Sequence, residues 1–340
     1  MNLNERIEAL TKLGTLLQKE DEAKQAAVHL AKLHNPWFTK ENSENALHTI
    51  ATEFLNKEKL EAWLTAYPNL DNKSSAPKSV GLVLAGNIPA VGFQDVITVF
   101  ITGNKALIKL SDKDKYLIQY LISALNKVDE RTKDYFTFVP MLKEFDGVIA
   151  TGSNNSSVYF ERYFSKKPNI IRKNRNSVAI LTGKETKKEL KDLATDVFKY
   201  FGLGCRSVSK IYVPEDYDFI PLMEALDDYK EVMDHTKYRN NFDYNRSVYL
   251  LNRLPHLVND CIMVLEDSSP LSRIATLHYQ KYSDLEKVQK DIEEQKEQLQ
   301  CVATQLNLSP IATVKLGETQ TPALNDYADG VDTVAFLLSL

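Results

Sequence analysis

The chain has 340 residues, 43% hydrophobic and 26% charged, and its 42 Lys and Arg against 46 Asp and Glu give a formal net charge of −4. That length and balance suit a soluble globular protein with one large or two medium domains, and they exclude the broad positive field that gathers nucleic acid or anionic membrane. Three cysteines at wide, irregular spacing form neither a disulfide framework nor a zinc motif, so no metal is expected and a reducing, cytoplasmic compartment is.

The first residues, MNLNERIEAL, are charged and amphipathic, with no apolar signal-peptide core. Residues 1–70 carry helical periodicity, with Ile7, Leu10, Leu13 and Leu16 or Leu17 on one face and a second helical run from Asn42 to Leu64. Asp71 to Lys78, DNKSSAPK, is polar, contains a proline and suits a linker. SVGLVLAG (79–86) then opens a different texture, a short apolar run ending in glycine that suits a strand buried on both faces. The helical stretch 90–102 contains an apolar run, Val96 to Ile101, too short for a bilayer, which takes roughly 20 residues.

A strand (105–110), a helix (112–127), strand-like YFTFVP (135–140) and GVIATG (147–152), a helix from Asn154 to Phe164, then NIIRK and SVAILTG follow in order. Strands alternating with helices of this length indicate a parallel sheet in an α/β domain. A helix over Lys187–Phe201 leads to FGLGCRSVSK, and a second α/β set follows. Its pieces are a strand at 208–213, a helix at 216–231, strand-like SVYLL (247–251), CIMVLED (261–267), IATLHYQKY (274–282), a helix at 284–299, CVATQL (301–306) and ATVKLG (312–317).

Several short motifs stand at strand ends, where ligands collect in open α/β sheets. Gly86-Asn87-Ile88-Pro89 follows the first buried strand, and taken alone it suits a plain strand-to-helix turn. Lys109 ends the next strand, where it meets a ribose or phosphate if it is not a surface lysine. Gly152-Ser153 stands before a helix, where backbone N–H groups and the helix dipole favour an anion, though capped helices often look the same. Cys205 sits among glycines with Arg206 beside it, which suits a displayed thiol, whereas Cys261 and Cys301 lie in apolar runs and suit the core.

The order Asn-x-Pro, Gly-Asn…Lys, Gly-Ser and Gly-x-x-Cys resembles the aldehyde dehydrogenase superfamily, and within it the acyl-CoA reductase family. The resemblance covers residues from about 78 to 340, with residues 1–77 similar to that family's helical N-terminal region. It implies an aldehyde dehydrogenase-like α/β fold: N-terminal helices (1–77), a Rossmann-type nicotinamide cofactor domain (78–184) and an α/β catalytic domain carrying Cys205 (185–311). A C-terminal segment (312–340) would pack on the core or a subunit interface, and a homo-oligomer is expected. Cys205 matches the nucleophile and Asn87 the side-chain donor of the oxyanion hole. Lys109 matches the lysine near the adenosine ribose, Gly152 and Ser153 the pyrophosphate turn, and Glu266 in LEDSSP the glutamate on the nicotinamide ribose. The closing TPALNDYADGVDTVAFL resembles the family's C-terminal signature.

Dehydrogenases of the superfamily carry a water-activating glutamate ahead of the cysteine; here AILTG is matched to that stretch, which puts Ile180 in its place and Glu185 on a solvent-facing helix start. The implied activity is reduction of an acyl-CoA or acyl-protein thioester, the latter from a carrier or an acyl-transferring partner enzyme, through an acyl-Cys205 intermediate to a fatty aldehyde. NADPH is the implied hydride donor, since no acid is placed to grip a ribose 2′-hydroxyl, with NADH the alternative. An oxidative aldehyde dehydrogenase and a non-catalytic partner-binding protein of the same fold are the competing readings.

Overall fold

The structure is a computed structural model that describes residues 1–70 and 76–340, so most of the 71–78 linker lies outside the described residues. The chain folds as two compact units, Met1–Asn174 with Ala323–Leu340, and Arg175–Pro322. The division at 174 corrects the boundary placed at 184: the strand at 176–180 hydrogen-bonds into the second sheet, and a strand belongs with the sheet that satisfies its backbone.

The first unit begins with four α-helices, α1 (Leu3–Leu17), α2 (Glu22–His34), α3 (Lys40–Thr49) and α4 (Lys57–Leu64). A capping box between Asn2 and Glu5 starts α1, which buries Ile7, Leu10, Leu13 and Leu17 on one stripe. The run 42–64 forms two α-helices rather than one, because the Asn56 side chain accepts from the Lys59 N–H and starts α4 afresh.

The unit's sheet and its helices follow as β1 (Ser79–Val83), α5 (Phe93–Ile101), β2 (Lys105–Lys109), α6 (Tyr116–Val128), β3 (Phe136–Phe138), β4 (Gly147–Thr151), α7 (Asn154–Phe164) and β5 (Asn169–Arg172). All five strands are parallel, in the order β3-β2-β1-β4-β5. Alternation along the strands sorts the two faces. Val80, Leu82, Ala106, Ile108 and Ile149 join the core shared with α1 to α6, while Val83, Leu107, Val148 and Ala150 face a smaller cluster with Leu142, Phe160 and Phe164.

The second unit contains β6 (Asn176–Ile180), α8 (Lys187–Phe198), β7 (Val208–Pro214), α9 (Ile220–Asp227), α10 (Thr236–Leu251), β8 (Leu257–Val258), β9 (Met263–Glu266), β10 (Thr276–Tyr282), α11 (Leu285–Glu294), β11 (Leu299–Ala303) and β12 (Thr313–Val314). Its strand order is β12-β11-β6-β7-β10-β9-β8, parallel throughout except for β8. SVYLL is helical instead of extended: it closes α10, whose buried residues Tyr238, Phe242, Asn245 and Tyr249 recur every three or four positions.

The chain then returns to the first unit, where α12 (Thr333–Leu338) buries Val334 and Leu337 against the core that contains α5. Arg172 holds it there, pairing with Asp95 of α5 at 2.7 Å and donating to Thr333 Oγ1 at 3.1 Å. Tyr67, after α4, bonds both Tyr327 (2.6 Å) and Asp332 (2.8 Å), so the N-terminal helices and the C-terminal signature brace one another. Among the described residues no helix is long and apolar enough to cross a membrane, and no cluster of metal-ligating side chains occurs.

Candidate active site

Three of the motifs share the carboxyl edge of the first sheet. Val83 is level with Lys109 on one side and Ala150 on the other, so the turn after β1, the end of β2 and the turn after β4 meet there. The strand order reverses between β1 and β4, and such a switch point opens a crevice for ligands. Asn87 stands half-buried on the turn after β1. Gly86 is required beside it, because a Cβ would lie 2.4 Å from Ser111 Oγ and 2.7 Å from Ser111 Cβ. Asp114 fixes the far end of the turn: its Oδ2 accepts the Ala90 N–H at 2.7 Å, where Ala90 takes a φ of +55°. Burial pushes the Asp114 carboxyl up to about 6, against the lowering effect of the Ala90 bond.

Gly152 lets α7 close on β4, since a Cβ would meet Phe160 at 2.7 Å and Ser156 at 2.9 Å. The Ser153 hydroxyl accepts from the Ser156 N–H at 3.2 Å and so caps α7, the ordinary role for a serine in that place. Lys109 points to the same face of the sheet as Leu107 and lines a groove of about 600 Å³ with Val83, Leu142 and the α7 residues Tyr159, Phe160 and Arg162.

Cys205 belongs to the second unit and is half-buried. It sits on a turn closed by the Ser207 N–H to Gly204 carbonyl bond at 3.0 Å. Tyr200, Phe201 and Gly202 run in succession at φ of +54°, +58° and +73° just before it. Left-handed backbone costs a bulky residue about 1–2 kcal/mol, so two aromatics in that conformation must be held by their surroundings. Both are buried, and the Phe201 ring lies 4.5 Å from that of His235. Segment 317–320 braces the turn from both sides. Asp196, near the end of α8, accepts from Gly317 and Thr319, and Gln320 reaches Ser207 Oγ at 3.4 Å. Burial raises the Asp196 carboxyl to about 6 despite these bonds.

Ser177 Oγ donates to the Cys205 carbonyl at 3.0 Å and lies 3.0 Å from Cys301 Sγ. Cys301 is therefore half-buried beside the Cys205 backbone instead of in the core. Cys261 is fully buried, and burial pushes its thiol up to about 12, which makes it inert.

Glu266 ends β9, level with Tyr279 of β10, and the turn it begins folds back over β7. Ser209 holds that turn at the Pro270 carbonyl (2.6 Å), His278 at Ser269 (3.0 Å) and Lys210 at Ser268 (2.7 Å). Lys210 is wholly buried, donates also to Gln280 Oε1 at 2.7 Å and lies 4.5 Å over the Tyr212 ring. Burial lowers the basicity of this ammonium, countered by the Asp291 and Asp267 charges. The sequence signal for it was a lysine between Val208 and Tyr212 on one face of an otherwise apolar strand.

Two assignments near Cys205 are corrected. Ile180 is buried among Val288, Ile292 and Val302 at the carboxyl end of β6, whereas the Cys205 turn meets Ser177 near its start, about 10 Å away along the strand. Glu185 does not face solvent. Its carboxylate accepts from the Thr182 N–H (2.5 Å), the Thr182 hydroxyl (2.8 Å) and the Gly183 N–H (3.0 Å).

The fold is that of the aldehyde dehydrogenases. A structure of aldehyde dehydrogenase 21 from Physcomitrella patens, in complex with the reaction product succinate, superposes with a TM-score of 0.72 at 14% identity, over 100% of this chain and 84% of that one. An oxidoreductase from Marinobacter aquaeolei gives 0.68 at 11% identity over 91% and 74%. An indole-3-acetaldehyde dehydrogenase variant from P. syringae, in complex with NAD+, gives 0.65 at 14% identity over 91% and 73%. Comparison with curated protein sequences gives no match. At these identities the likeness shows the fold alone, but residues 8–312 match the family model for acyl-CoA reductase (LuxC), and the chain belongs to that family.

Proposed function

We propose that the chain reduces a fatty acyl thioester to the aldehyde through an acyl group carried on Cys205, with NADPH as the hydride donor. The observation that carries this reading is the display of Cys205, half-exposed on a turn whose two preceding aromatics are held in left-handed backbone. A structural cysteine requires no such strain.

The thiolate of Cys205 attacks the thioester carbonyl. The tetrahedral oxyanion takes a hydrogen bond from the Cys205 N–H, the family resemblance gives Asn87 Nδ2 the role of side-chain donor, and collapse expels the donor thiolate, which takes up a proton. Coenzyme A, an acyl carrier or an acyl-transferring partner enzyme supplies the thioester. No Asp or Glu occurs between Asn169 and Thr182, and Glu185 is committed to the Thr182–Gly183 turn. Water beside the acyl-enzyme therefore lacks a base from this stretch, which favours reduction over hydrolysis.

The carboxyl edge of the first sheet fits a nicotinamide dinucleotide. The Gly152–Ser153 turn and the N-terminus of α7 suit a pyrophosphate, and Lys109 stands on the wall of an apolar groove wide enough for an adenosine. Glu266, on its braced turn, suits the nicotinamide ribose. When bound, the reduced nicotinamide supplies the hydride that takes the acyl group to the aldehyde level.

Intact-protein mass spectrometry after incubation with a panel of acyl-CoAs tests this. One acyl group should appear on the wild type, persist while reductant is withheld, leave as aldehyde when NADPH is added, and be absent from Cys205→Ala. Turnover of acyl-CoA to free acid by the wild type, with no aldehyde on adding NADPH or NADH, would sink it.

A further inference from the structure

Two register shifts flank Ser177, and one of them changes where a cysteine points. β6 and β11 pair Asn176 with Leu299 but Ser177 with Cys301, so Gln300 is the extra residue of a bulge. In an unbroken register Gln300 would stand level with Ser177. Cys301 would then stand level with Val178, on the face that packs with Val288 and Ile292. The bulge turns the thiol to the opposite face, toward Ser177. On its other side Ser177 is level with Val208 of β7, and that pairing shifts just after it, so that Val178 meets Lys210. The Cys205 turn and Cys301 thereby converge on one hydroxyl.

That hydroxyl has a single hydrogen, and it goes to the Cys205 carbonyl at 3.0 Å, because a carbonyl oxygen only accepts. The Cys301 thiol, also at 3.0 Å, must therefore donate its S–H to Ser177 Oγ. With each 3.0 Å from the same atom, no more than 6.0 Å separates the Cys205 carbonyl oxygen from Cys301 Sγ. Disulfide-linked residues have Cα atoms about 4.4–6.8 Å apart, a span of the same order, which side-chain rotation and a small shift of the turn can close. Both thiols are half-buried and open to a small oxidant, whereas Cys261 is fully buried and donates to the Leu226 carbonyl.

We infer that Cys205 and Cys301 form a disulfide under peroxide, with Cys301 as the resolving thiol. The Cys205 thiolate attacks one oxygen of hydrogen peroxide and the O–O bond breaks. The departing hydroxide takes up the proton the thiol had released, leaving a sulfenic acid on Cys205. The Cys301 sulfur then attacks the Cys205 sulfur, the S–O bond breaks, and this second hydroxide takes the Cys301 proton to give water. Two thiols lose two electrons and the peroxide becomes two waters. The disulfide keeps Cys205 off the irreversible steps to sulfinic and sulfonic acid. It requires a reactive Cys205 and no particular substrate, so it stands apart from the reductase reading.

The test treats the full chain, reduced beforehand, with hydrogen peroxide, alkylates the remaining thiols under denaturing conditions and maps the peptides by mass spectrometry without reduction. The wild type should run as a monomer on a non-reducing gel and give a peptide pair joined through Cys205 and Cys301. Cys261 should stay alkylatable, and dithiothreitol should restore the other two thiols. Cys301→Ser should give no joined pair and should lose Cys205 to a sulfinic acid that dithiothreitol does not restore. Four results would overturn the inference: wild-type Cys205 oxidised to sulfinic acid without the pair, Cys205 untouched by peroxide, Cys205 joined to Cys261 or to a second chain, or equal recovery of Cys205 in Cys301→Ser. Acyl capture by the reduced wild type is scored separately. Its absence alongside the Cys205–Cys301 pair would refute the reductase reading alone, and its presence without the pair would refute this inference alone.

Discussion

Asp114 gives the most direct test of how the Asn87 turn is held. Its carboxyl is buried and titrates at about 6, against an ordinary aspartate value of 3.8. Between those two values the folded protein holds a proton that the unfolded chain has released. Stability must therefore fall as pH rises through that window and level off above about pH 7. A displacement of that size corresponds to about 3 kcal/mol, or roughly 6–12 °C in midpoint for a unit of this size. Asparagine keeps an oxygen for the Ala90 N–H but never ionises, so Asp114→Asn should match the wild type near pH 4 and exceed it by most of that amount at pH 7.5. Thermal midpoints of both proteins at pH 4.5, 6 and 7.5 measure the difference, in which exposed carboxylates cancel. Asp196 adds a slope of the same sign to both proteins and cancels as well. A variant less stable than the wild type at pH 7.5, or one with an unchanged gap at every pH, would refute the account of Asp114 as a desolvated carboxylate.

Asn87→Ala should slow acylation of Cys205 by about 10²–10³ in single-turnover mass spectrometry, the usual cost of one oxyanion donor; an unchanged rate would return Asn87 to a turn-forming role. Lys109→Ala should raise the KM for NADPH and leave acyl capture intact, and an unchanged KM would make it a plain surface lysine. Lys210→Met leaves the Ser268 carbonyl and Gln280 Oε1 without their donor, at about 1–3 kcal/mol. It should lower the thermal midpoint and raise the NADPH KM by loosening the turn that carries Glu266, with Lys210→Arg restoring part of both; a KM unmoved by either variant would limit Lys210 to a structural role.

Elements with a strong period were legible in the sequence, and so were residues whose chemistry depends on a local turn. β1 and β4 were plain apolar runs, and the glycines around Cys205 marked its turn. What escaped was set by tertiary placement. The apolar texture of SVYLL suggested a strand because its helical partners, Tyr238 and Phe242, lie upstream of the quoted run. Cys301 looked like a core residue because CVATQL is apolar, yet it opens beside Ser177, which only the pairing of β11 with β6 determines. The groove beside Lys109 is lined by Met141 and Leu142 of the helix-free connection 139–146, and its sole trace in the sequence is the brevity of that connection.

The placement of Ile180 has the most bearing on chemistry. Matching AILTG to the turn that carries the dehydrogenases' base relied on a glycine following an apolar run, a pattern shared by many strand ends. The direction of β6 decides against it, since Ser177 near the amino end meets the Cys205 turn and Ile180 points into the core at the other. A glutamate at position 180 would be buried among Val288 and Ile292, where desolvation would keep it protonated and unable to activate water. The case for a missing base does not depend on that position. Wherever the matching stretch lies between Asn169 and Thr182 it contains no acid, and the next carboxylate, Glu185, accepts three hydrogen bonds from its own turn. Releasing Glu185 to serve as a base would strip those donors of their partner. The acyl group on Cys205 should therefore outlast the withholding of reductant for the same reason the turn after β6 holds its shape.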